Sequence, residues 1–268
     1  MTDIRNYQPR PDLLNGRVIL VTGATRGIGR VAALTFAAYG ATVVLHGRDV
    51  SALEQVYDEI RGKGHAEPAA IPLDLERAGT RDFDGLAYAI ESRLGRLDGL
   101  LHNAAHFEKL SALELQTAEE WNRTLQVNLV APFALTQACA RLLKASPDAA
   151  VVFTSETHGH VPAPYWGGYA ASKAGLEALM KIQAAEWDKL ANLRANAVIP
   201  GPVDSPSRAK TQTTTPSRTL VSCGAASAPP TASVARSSSH PPATTRIPAP
   251  STCRRSTVAR TTIGPCSG

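Results

Sequence analysis

The chain predicts an α/β fold: a doubly wound parallel sheet covered by helices on both faces. Between Arg17 and Ile199, short runs rich in Val, Ile, Leu and Ala alternate with longer segments whose apolar residues recur three and four apart. The short runs are apolar at successive positions, as strands buried on both faces require, and Gly40, Gly62 and Gly95 close three of the longer segments.

Taken in order, Val18–Thr22 is the first expected strand, followed by a glycine-rich turn and a helix over Ile28–Tyr39. Thr42–Leu45 and Val50–Gly62 form the next strand and helix, and Ala69–Leu73 and Phe83–Leu94 the third pair. Leu97–Leu101 is the fourth strand, and Ala118–Lys144 is patterned as one long helix. Ala150–Thr154, a helix over Gly168–Leu190 and a sixth strand at Arg194–Ile199 complete the series. The organisation is thus an N-terminal extension (1–13), a domain over 14–210 and a tail over 211–268. No last helix and strand are recognisable in that tail.

Of the 58 residues after Lys210, 30 are Thr, Ser or Pro, six are Ile, Leu or Val, and none is Phe, Tyr, Trp, Met, Lys, Asp or Glu. Such a composition cannot bury enough apolar surface to fold by itself, which reads as a disordered tail. Disordered tails ordinarily keep Lys, Glu or Asp, however. An abrupt change to Ala, Arg, Pro, Ser, Thr and Cys is what out-of-frame translation of a GC-rich gene produces. A frameshift near residue 210 is therefore expected, and it requires that another reading frame of the coding DNA encode a helix and a β-rich strand there.

The formal net charge of +5 sits in the tail: residues 1–210 hold 22 Lys and Arg against 23 Asp and Glu, while 211–268 hold six Arg and no acid. A nearly neutral body offers no basic groove, and six scattered arginines without aromatic neighbours do not make a nucleic-acid surface. A hydrophobic fraction of 43% is ample for a packed core. No apolar run precedes Val18 and no stretch approaches the length of a membrane span, so neither a secretory signal nor a membrane anchor is expected. Cys139, the one cysteine before residue 210, falls in a helical pattern as a small hydrophobe, which suits a reducing cytoplasm.

Val18 to Arg30 is a strand, a glycine-rich turn and a helix start in succession. In that setting Gly23 and Gly27 permit a tight turn and close approach of the backbone to a pyrophosphate, whose charge the helix N-terminus favours; Gly29 lets helix and strand pack closely. Gly23, Thr25, Arg26, Gly27, Ile28 and Gly29 are therefore candidate dinucleotide contacts, and the fold is of Rossmann type. The spacing Gly-x-x-x-Gly-x-Gly departs from the more familiar Gly-x-Gly-x-x-Gly, and glycines in a strand-to-helix turn can also be purely structural. After the second strand the chain reads His46-Gly47-Arg48, with no carboxylate before Arg48. An acid there would accept from the ribose of NAD, whereas Arg48, with Arg26, suits the 2′-phosphate of NADP, so NADP is expected in preference to NAD. Arg48 has a plainer alternative as a solvated residue beside Asp49, which can cap the next helix or pair with it.

Tyr169-Ala170-Ala171-Ser172-Lys173 places a phenol and an ammonium one helical turn apart. A phenol of pKa ~10 exchanges protons poorly at neutral pH, and a neighbouring cation lowers that value. Alone, such a pair is as readily an idle feature of an exposed helix face.

Together the segments resemble the short-chain dehydrogenase/reductase family over about residues 14–208. The matching pieces are Thr22-Gly23-x-x-x-Gly27-x-Gly29, Asp74-Leu75, Asn103-Ala104-Ala105, Asn128, Tyr169-x-x-x-Lys173 and Pro200-Gly201. The resemblance implies hydride transfer between a nicotinamide and a ketone, aldehyde or secondary alcohol, with Tyr169 as general acid in reduction and base in oxidation. It implies that Lys173 lowers the Tyr169 pKa and holds the cofactor ribose, and that Asn128 anchors a water chain. Asp74 and Leu75 would line the adenine pocket, Asn103 and Ala104 would lie along the cofactor, and Pro200, Gly201 and Val203 would border the nicotinamide. Asp74 can equally be a turn cap. A homodimer or homotetramer is the assembly the resemblance suggests.

Two departures stand out. The serine that orients the substrate carbonyl in this family lies 13 residues before the tyrosine, where this chain has Glu156, flanked by Ser155 and Thr157. A loop shift of one residue would bring either hydroxyl to the position; Ser155 is favoured, with Thr157 next. Glu156 itself would tune substrate choice or blunt catalysis. The second departure is the tail, where the family carries a substrate lid and a last strand. An NADP-dependent oxidoreductase is thus expected, the alternative being a dinucleotide-binding protein with little turnover. Tyr165 and Trp166 either line the substrate mouth or pack against a neighbouring helix.

Overall fold

A computed structural model describes residues 8–201 and 203; the tail over 211–268, and with it the expected frameshift, lies outside the described residues. The expected α/β fold is present. Among the described residues six parallel strands form one sheet in the order β3-β2-β1-β4-β5-β6. They are β1 (Val18–Thr22), β2 (Thr42–Gly47), β3 (Ala69–Pro72), β4 (Gly99–His102), β5 (Ala149–Thr154) and β6 (Leu193–Val198). The helices are α1 (Gly27–Ala38), α2 (Val50–Gly62), α3 (Thr80–Leu94), α4 (Ala118–Leu125), α5 (Ala131–Ala145), α6 (Thr157–His160) and α7 (Gly167–Glu186). Because β1 pairs with both β2 and β4, the winding reverses there, and the crevice used by ligands in such sheets opens at the carboxyl ends of these strands.

Alternation along each strand builds two cores. Val18 and Leu20 join Val44, Leu100, Val151 and Phe153 beneath α3, α5 and α7. Ile19 and Val21 join Val43, Leu45 and Leu101 beneath α1 and α2. Each fully buried Leu or Val contributes about 1.5–3 kcal/mol of hydrophobic stabilisation. Cys139 is buried in the first core as a free thiol, the small hydrophobe expected. Among the described residues no helix is long and apolar enough to cross a membrane.

The long helix expected over Ala118–Lys144 is instead three pieces, α4, a π-helical turn over Gln126–Val130, and α5. Pro132 explains the break: it has no N–H to donate one turn back to the Asn128 carbonyl, and the ladder shifts by one residue, with the Ala131 amide donating to Gln126. The boundaries of α7 and β6 differ from expectation by a few residues, and the short α6 was not legible.

The fourth strand begins at Gly99, two residues later than expected, because Asp98 is a buried anchor and not a strand residue. Its Oδ2 accepts from the Val18 amide at 2.8 Å and from Arg96 Nε at 2.8 Å, and its Oδ1 accepts from Ser146 Oγ at 2.5 Å. Burial works to raise the Asp98 pKa, but these donors outweigh it and hold the carboxyl below its ordinary value. Asp98→Ala is expected to cost about 3 kcal/mol by leaving the Val18 and Ser146 donors unpaired, whereas Arg96→Ala, at a half-exposed side chain, costs under about 1 kcal/mol; urea unfolding of both variants checks this. Because Asp98 titrates below its unfolded value, its contribution is full above about pH 4 and fades as pH falls through the folded value, so the gap between wild type and Asp98→Asn narrows in acid.

Candidate active site

The glycine loop is held by its neighbour across the sheet. Thr22 Oγ1 accepts from the amides of Asn103 at 2.9 Å and Ala104 at 3.1 Å, and Asn103 Nδ2 donates to the carbonyls of Thr22 at 3.2 Å and Gly23 at 3.4 Å. Gly23 and Gly27 lie at φ +66° and +55°, conformations that strain any side chain. A Cβ on Gly29 would stand 2.2 Å from the Gly23 carbonyl oxygen and 2.4 Å from Asn103 Nδ2. Backbone is thus packed on backbone. Arg26, in extended conformation, precedes α1 without capping it through its side chain, and the first turn of α1 carries no acid. Its amides therefore face no protein anion from that turn, which suits a phosphate. Ile28 follows on the first turn of α1, and Thr25 covers Gly47, where a Cβ would meet Thr25 Cγ2 at 2.8 Å.

At the end of β2, Arg48 is exposed and its guanidinium lies 4.0 Å from Asp74. Asp49 caps α2 through the Ala52 amide at 3.1 Å. Asp74 acts as a turn cap, accepting from the Glu76 amide at 3.2 Å, and Leu75 beside it is buried, its carbonyl accepting from Gln126. Arg48, Asp74 and the loop residues therefore lie around the carboxyl ends of β1 to β3. His46, which sequence reasoning passed over, is buried in the same row as Thr22, with no hydrogen bond of good geometry to either ring nitrogen. Burial pushes its pKa down to about 4.

Asn128 is buried in the π turn. Its Oδ1 accepts from the His106 amide at 2.7 Å, and its Nδ2 donates to the His106 carbonyl at 2.9 Å and to Ser172 Oγ at 3.0 Å. Ser172 in turn donates to the Tyr169 carbonyl at 2.7 Å. Asn128 thus ties the loop after β4 to the first turns of α7, with both side-chain N–H groups used within the protein.

Tyr169, Lys173 and Glu177 recur four apart on α7, and Lys173 and Glu177 engage the exit of β5. Lys173 is buried and donates from Nζ to the Thr154 carbonyl at 2.8 Å. Burial pushes its pKa down to about 8, opposed by the Glu156 carboxylate. The expected lowering of the Tyr169 pKa is not met: burial, and after it Glu156, push the phenol above its ordinary value, while the Lys173 ammonium is turned to Thr154, 5.7 Å from the Tyr169 ring centre. Ser155 is committed elsewhere too. Its hydroxyl donates to Glu177 Oε1 at 2.6 Å, with His160 Nδ1 3.3 Å from Oε2, so the proton a substrate carbonyl would need is already used. Glu156 instead accepts from the Thr157 amide at 3.0 Å, and exposed Thr157 opens α6.

Aromatic rings surround the tyrosine. Phe107 meets Tyr169 edge-on at 5.0 Å, Trp166 lies 5.6 Å from Phe107 and 5.9 Å from Tyr169, and His158 lies 4.0 Å from Trp166. Trp166 therefore packs in the ring cluster beside Tyr169, while Tyr165 is exposed at φ 75°, an outlier for a bulky residue. Pro200 and Gly201 follow β6, beside β5, and the Val203 amide donates to Gly201 at 3.0 Å.

The family model for short chain dehydrogenases matches residues 17–216. The chain belongs to the short-chain dehydrogenase family. It is 43% identical over 196 residues to the uncharacterized oxidoreductase YciK of Escherichia coli strain K12, covering 73% of this chain and 77% of that protein. Two similar solved structures are a short chain dehydrogenase of Shigella flexneri 2a strain 301 complexed with NADP and one of Escherichia coli CFT073 complexed with NADPH. The first has a TM-score of 0.74 at 40% identity, covering 77% of this chain and 86% of that one. The second has a TM-score of 0.74 at 41% identity, covering 78% and 86%. As a short-chain dehydrogenase, this chain is an oxidoreductase.

Gly29 offers the cleanest test of the loop. Gly29→Ala is expected to destabilise by about 1–3 kcal/mol or prevent folding, because its methyl meets backbone that cannot yield. Gly62→Ala, at a position with open space, is expected to be neutral or stabilising by up to about 1 kcal/mol. Thermal unfolding of the two variants separates these outcomes.

Proposed function

We propose that this short-chain dehydrogenase is an NADP-dependent oxidoreductase acting on a ketone, aldehyde or secondary alcohol, with Tyr169 as proton donor and acceptor. The observation that carries the reading is the α7 face, where the buried Lys173 is clamped to the exit of β5 one turn from Tyr169, whose turn is braced by Asn128 and Ser172. The residues fit a dinucleotide: left-handed glycines, backbone in van der Waals contact across the loop, and a helix N-terminus whose first turn holds no acid. Gly23, Thr25, Arg26, Gly27, Ile28 and Gly29 hold the pyrophosphate, Asp74 and Leu75 the adenine, Asn103 and Ala104 the middle of the cofactor, and Pro200, Gly201 and Val203 the nicotinamide end. Arg48 and Arg26 supply positive charge for a 2′-phosphate, and the NADP and NADPH complexes of similar proteins support that choice over NAD. Bound NADPH supplies a hydride to the carbonyl carbon.

The chain's own part is the proton. With its pKa raised, Tyr169 is fully protonated at neutral pH and gives its proton to the carbonyl oxygen, leaving an alcohol; in oxidation it takes that proton back. Lys173 holds the ribose and supplies positive charge beside the phenolate that remains. Asn128 positions the turn carrying Tyr169 and anchors the water that returns the proton. Thr157, exposed at the start of α6, is the hydroxyl available to the carbonyl, since Ser155 donates to Glu177. The buried thiol of Cys139 suits the reducing cytoplasm.

A second reading, dinucleotide binding with little turnover, is favoured by the Glu156 carboxylate in the serine's place. Titration with NADPH and NADH, followed by a carbonyl panel, decides between them. NADPH is expected to bind at least ~10-fold more tightly than NADH, and Arg48→Ala to erase most of that ratio. Tyr169→Phe is expected to lower kcat by ~100-fold or more with NADPH affinity within a few-fold of wild type. Failure to bind either dinucleotide overturns the proposal, and binding without turnover of any carbonyl supports the second reading.

A further inference from the structure

The turn that carries Tyr169 has no cap of its own. Tyr169 is the third residue of α7, after Gly167 and Gly168, and Trp166 before them makes no capping hydrogen bond through its side chain. The first amides of a helix lack partners within it, and glycine gives up more conformational freedom than any other residue when it is ordered. Two glycines in succession therefore make this end of α7 prone to fray.

The acceptor comes from a residue 52 positions earlier in the chain. Gln116 Oε1 accepts from the Gly168 amide at 3.3 Å and from Trp121 Nε1 at 2.8 Å, and its Nε2 donates to the Ser111 carbonyl at 2.8 Å. Both ends of the carboxamide are thus used, and the three partners belong to α7, to α4 and to the loop after β4. Its base is fixed as well. The Gln116 amide donates to the Leu113 carbonyl at 3.2 Å, and directly after it Thr117 and Glu120 cap α4 reciprocally. The two glycines are matched to these side chains. Gly167 lies at φ +31°, and a Cβ there would overlap the Gln116 carboxamide; a Cβ on buried Gly168 would stand 3.1 Å from the Trp121 ring. The Ser111 amide donates to the Tyr165 carbonyl at 3.1 Å, so the same loop also holds the chain just ahead of the turn.

We infer that Gln116 is a positioning residue for proton transfer: it caps the first turn of α7 from outside the helix and so holds the Tyr169 hydroxyl in place. The inference rests on the reading of Tyr169 as proton donor and acceptor given above. Ser172 and Asn128 brace this turn through the Tyr169 carbonyl, and Gln116 braces it through the amide of the residue before, so the phenol is anchored from both sides. Proton transfer weakens steeply once the donor leaves hydrogen-bond reach, so loss of the cap lowers kcat more than it weakens cofactor binding.

Two measurements test this. Hydrogen exchange of the dinucleotide-free protein reads the turn itself: Gln116→Ala is expected to speed exchange at residues 168–170 by ~10-fold and to leave the glycine loop at 23–29 as in wild type. Turnover of a substrate from the carbonyl panel reads the consequence. Gln116→Ala is expected to lower kcat by ~10-fold with NADPH affinity within ~2-fold of wild type. Gln116→Glu, which keeps an acceptor for the Gly168 amide and the Trp121 indole, is expected to recover most of that loss. In a Tyr169→Phe background Gln116→Ala is expected to cost less than ~2-fold, because the cap acts through the phenol hydroxyl, whereas a merely structural role would cost the same in both backgrounds. Gln116→Met, of similar length but without the hydrogen bonds, takes its place should the alanine variant not fold. Unchanged exchange at 168–170, an unchanged kcat, or an equal loss in both backgrounds overturns the inference. A Tyr169→Phe variant that turns over at the wild-type rate overturns the Tyr169 reading instead, and exchange at 168–170 then decides whether Gln116 caps the turn.

Discussion

The hydrogen bond from Lys173 Nζ to the Thr154 carbonyl organises the reactive half of the molecule. An ammonium taken out of water is costly unless hydrogen-bonded or paired, and this one is almost wholly buried. The partner is the last carbonyl of β5, so the bond draws α7 onto the end of the strand and fixes the residues just beyond it. Ser155 then falls opposite Glu177, one turn further along α7. The tight packing of α6 has the same origin: a Cβ on Gly159 would stand 2.7 Å from Lys173 Cβ. Two successive residues leaving a strand thus pair with two residues one turn apart on a helix.

The cofactor half is built on a different principle. The Thr22 hydroxyl and the Asn103 amide bond main-chain groups across the loop, so its shape arises from absent glycine side chains and from these two short polar ones. The two halves are joined across β4. His102, next after Leu101, stacks on Phe153 at 4.8 Å and shares a 2.7 Å hydrogen bond with Thr136, while His106 is gripped on both sides by Asn128. Burial pushes the His102 pKa down to about 3, so this link stays neutral and rigid across the ordinary pH range.

Features carried by local periodicity, or by residues that have few alternatives, were legible in the sequence. Strands buried on both faces read as apolar runs; the strand-turn-helix with its glycines reads as a phosphate loop; Tyr169 and Lys173 share a helix face by spacing alone. Features that depend on partners far along the chain were not. The Ser155 hydroxyl meets a carboxylate 22 residues away, and nothing near Ser155 signals it. The lowering expected for the Tyr169 pKa came from proximity to Lys173, yet burial decides the direction, and burial is a tertiary property. The break at Asn128 did leave a trace, since Pro132 interrupts an otherwise continuous helical pattern and cannot complete the ladder behind it.

Burial acts on the reactive pair in one direction only, toward the neutral forms of both groups. Tyr169 keeps its proton, and Lys173, brought to about 8, is the group whose charge is lost just above neutrality. Glu156 helps one member of the pair and hinders the other: it favours the charged lysine and disfavours the charged phenolate. Burial and Glu156 together keep the Tyr169 phenol protonated. In the proposed reaction the phenolate is opposed by burial and by Glu156 and supported by Lys173, so the charge on Lys173 sets how readily the pair runs in either direction.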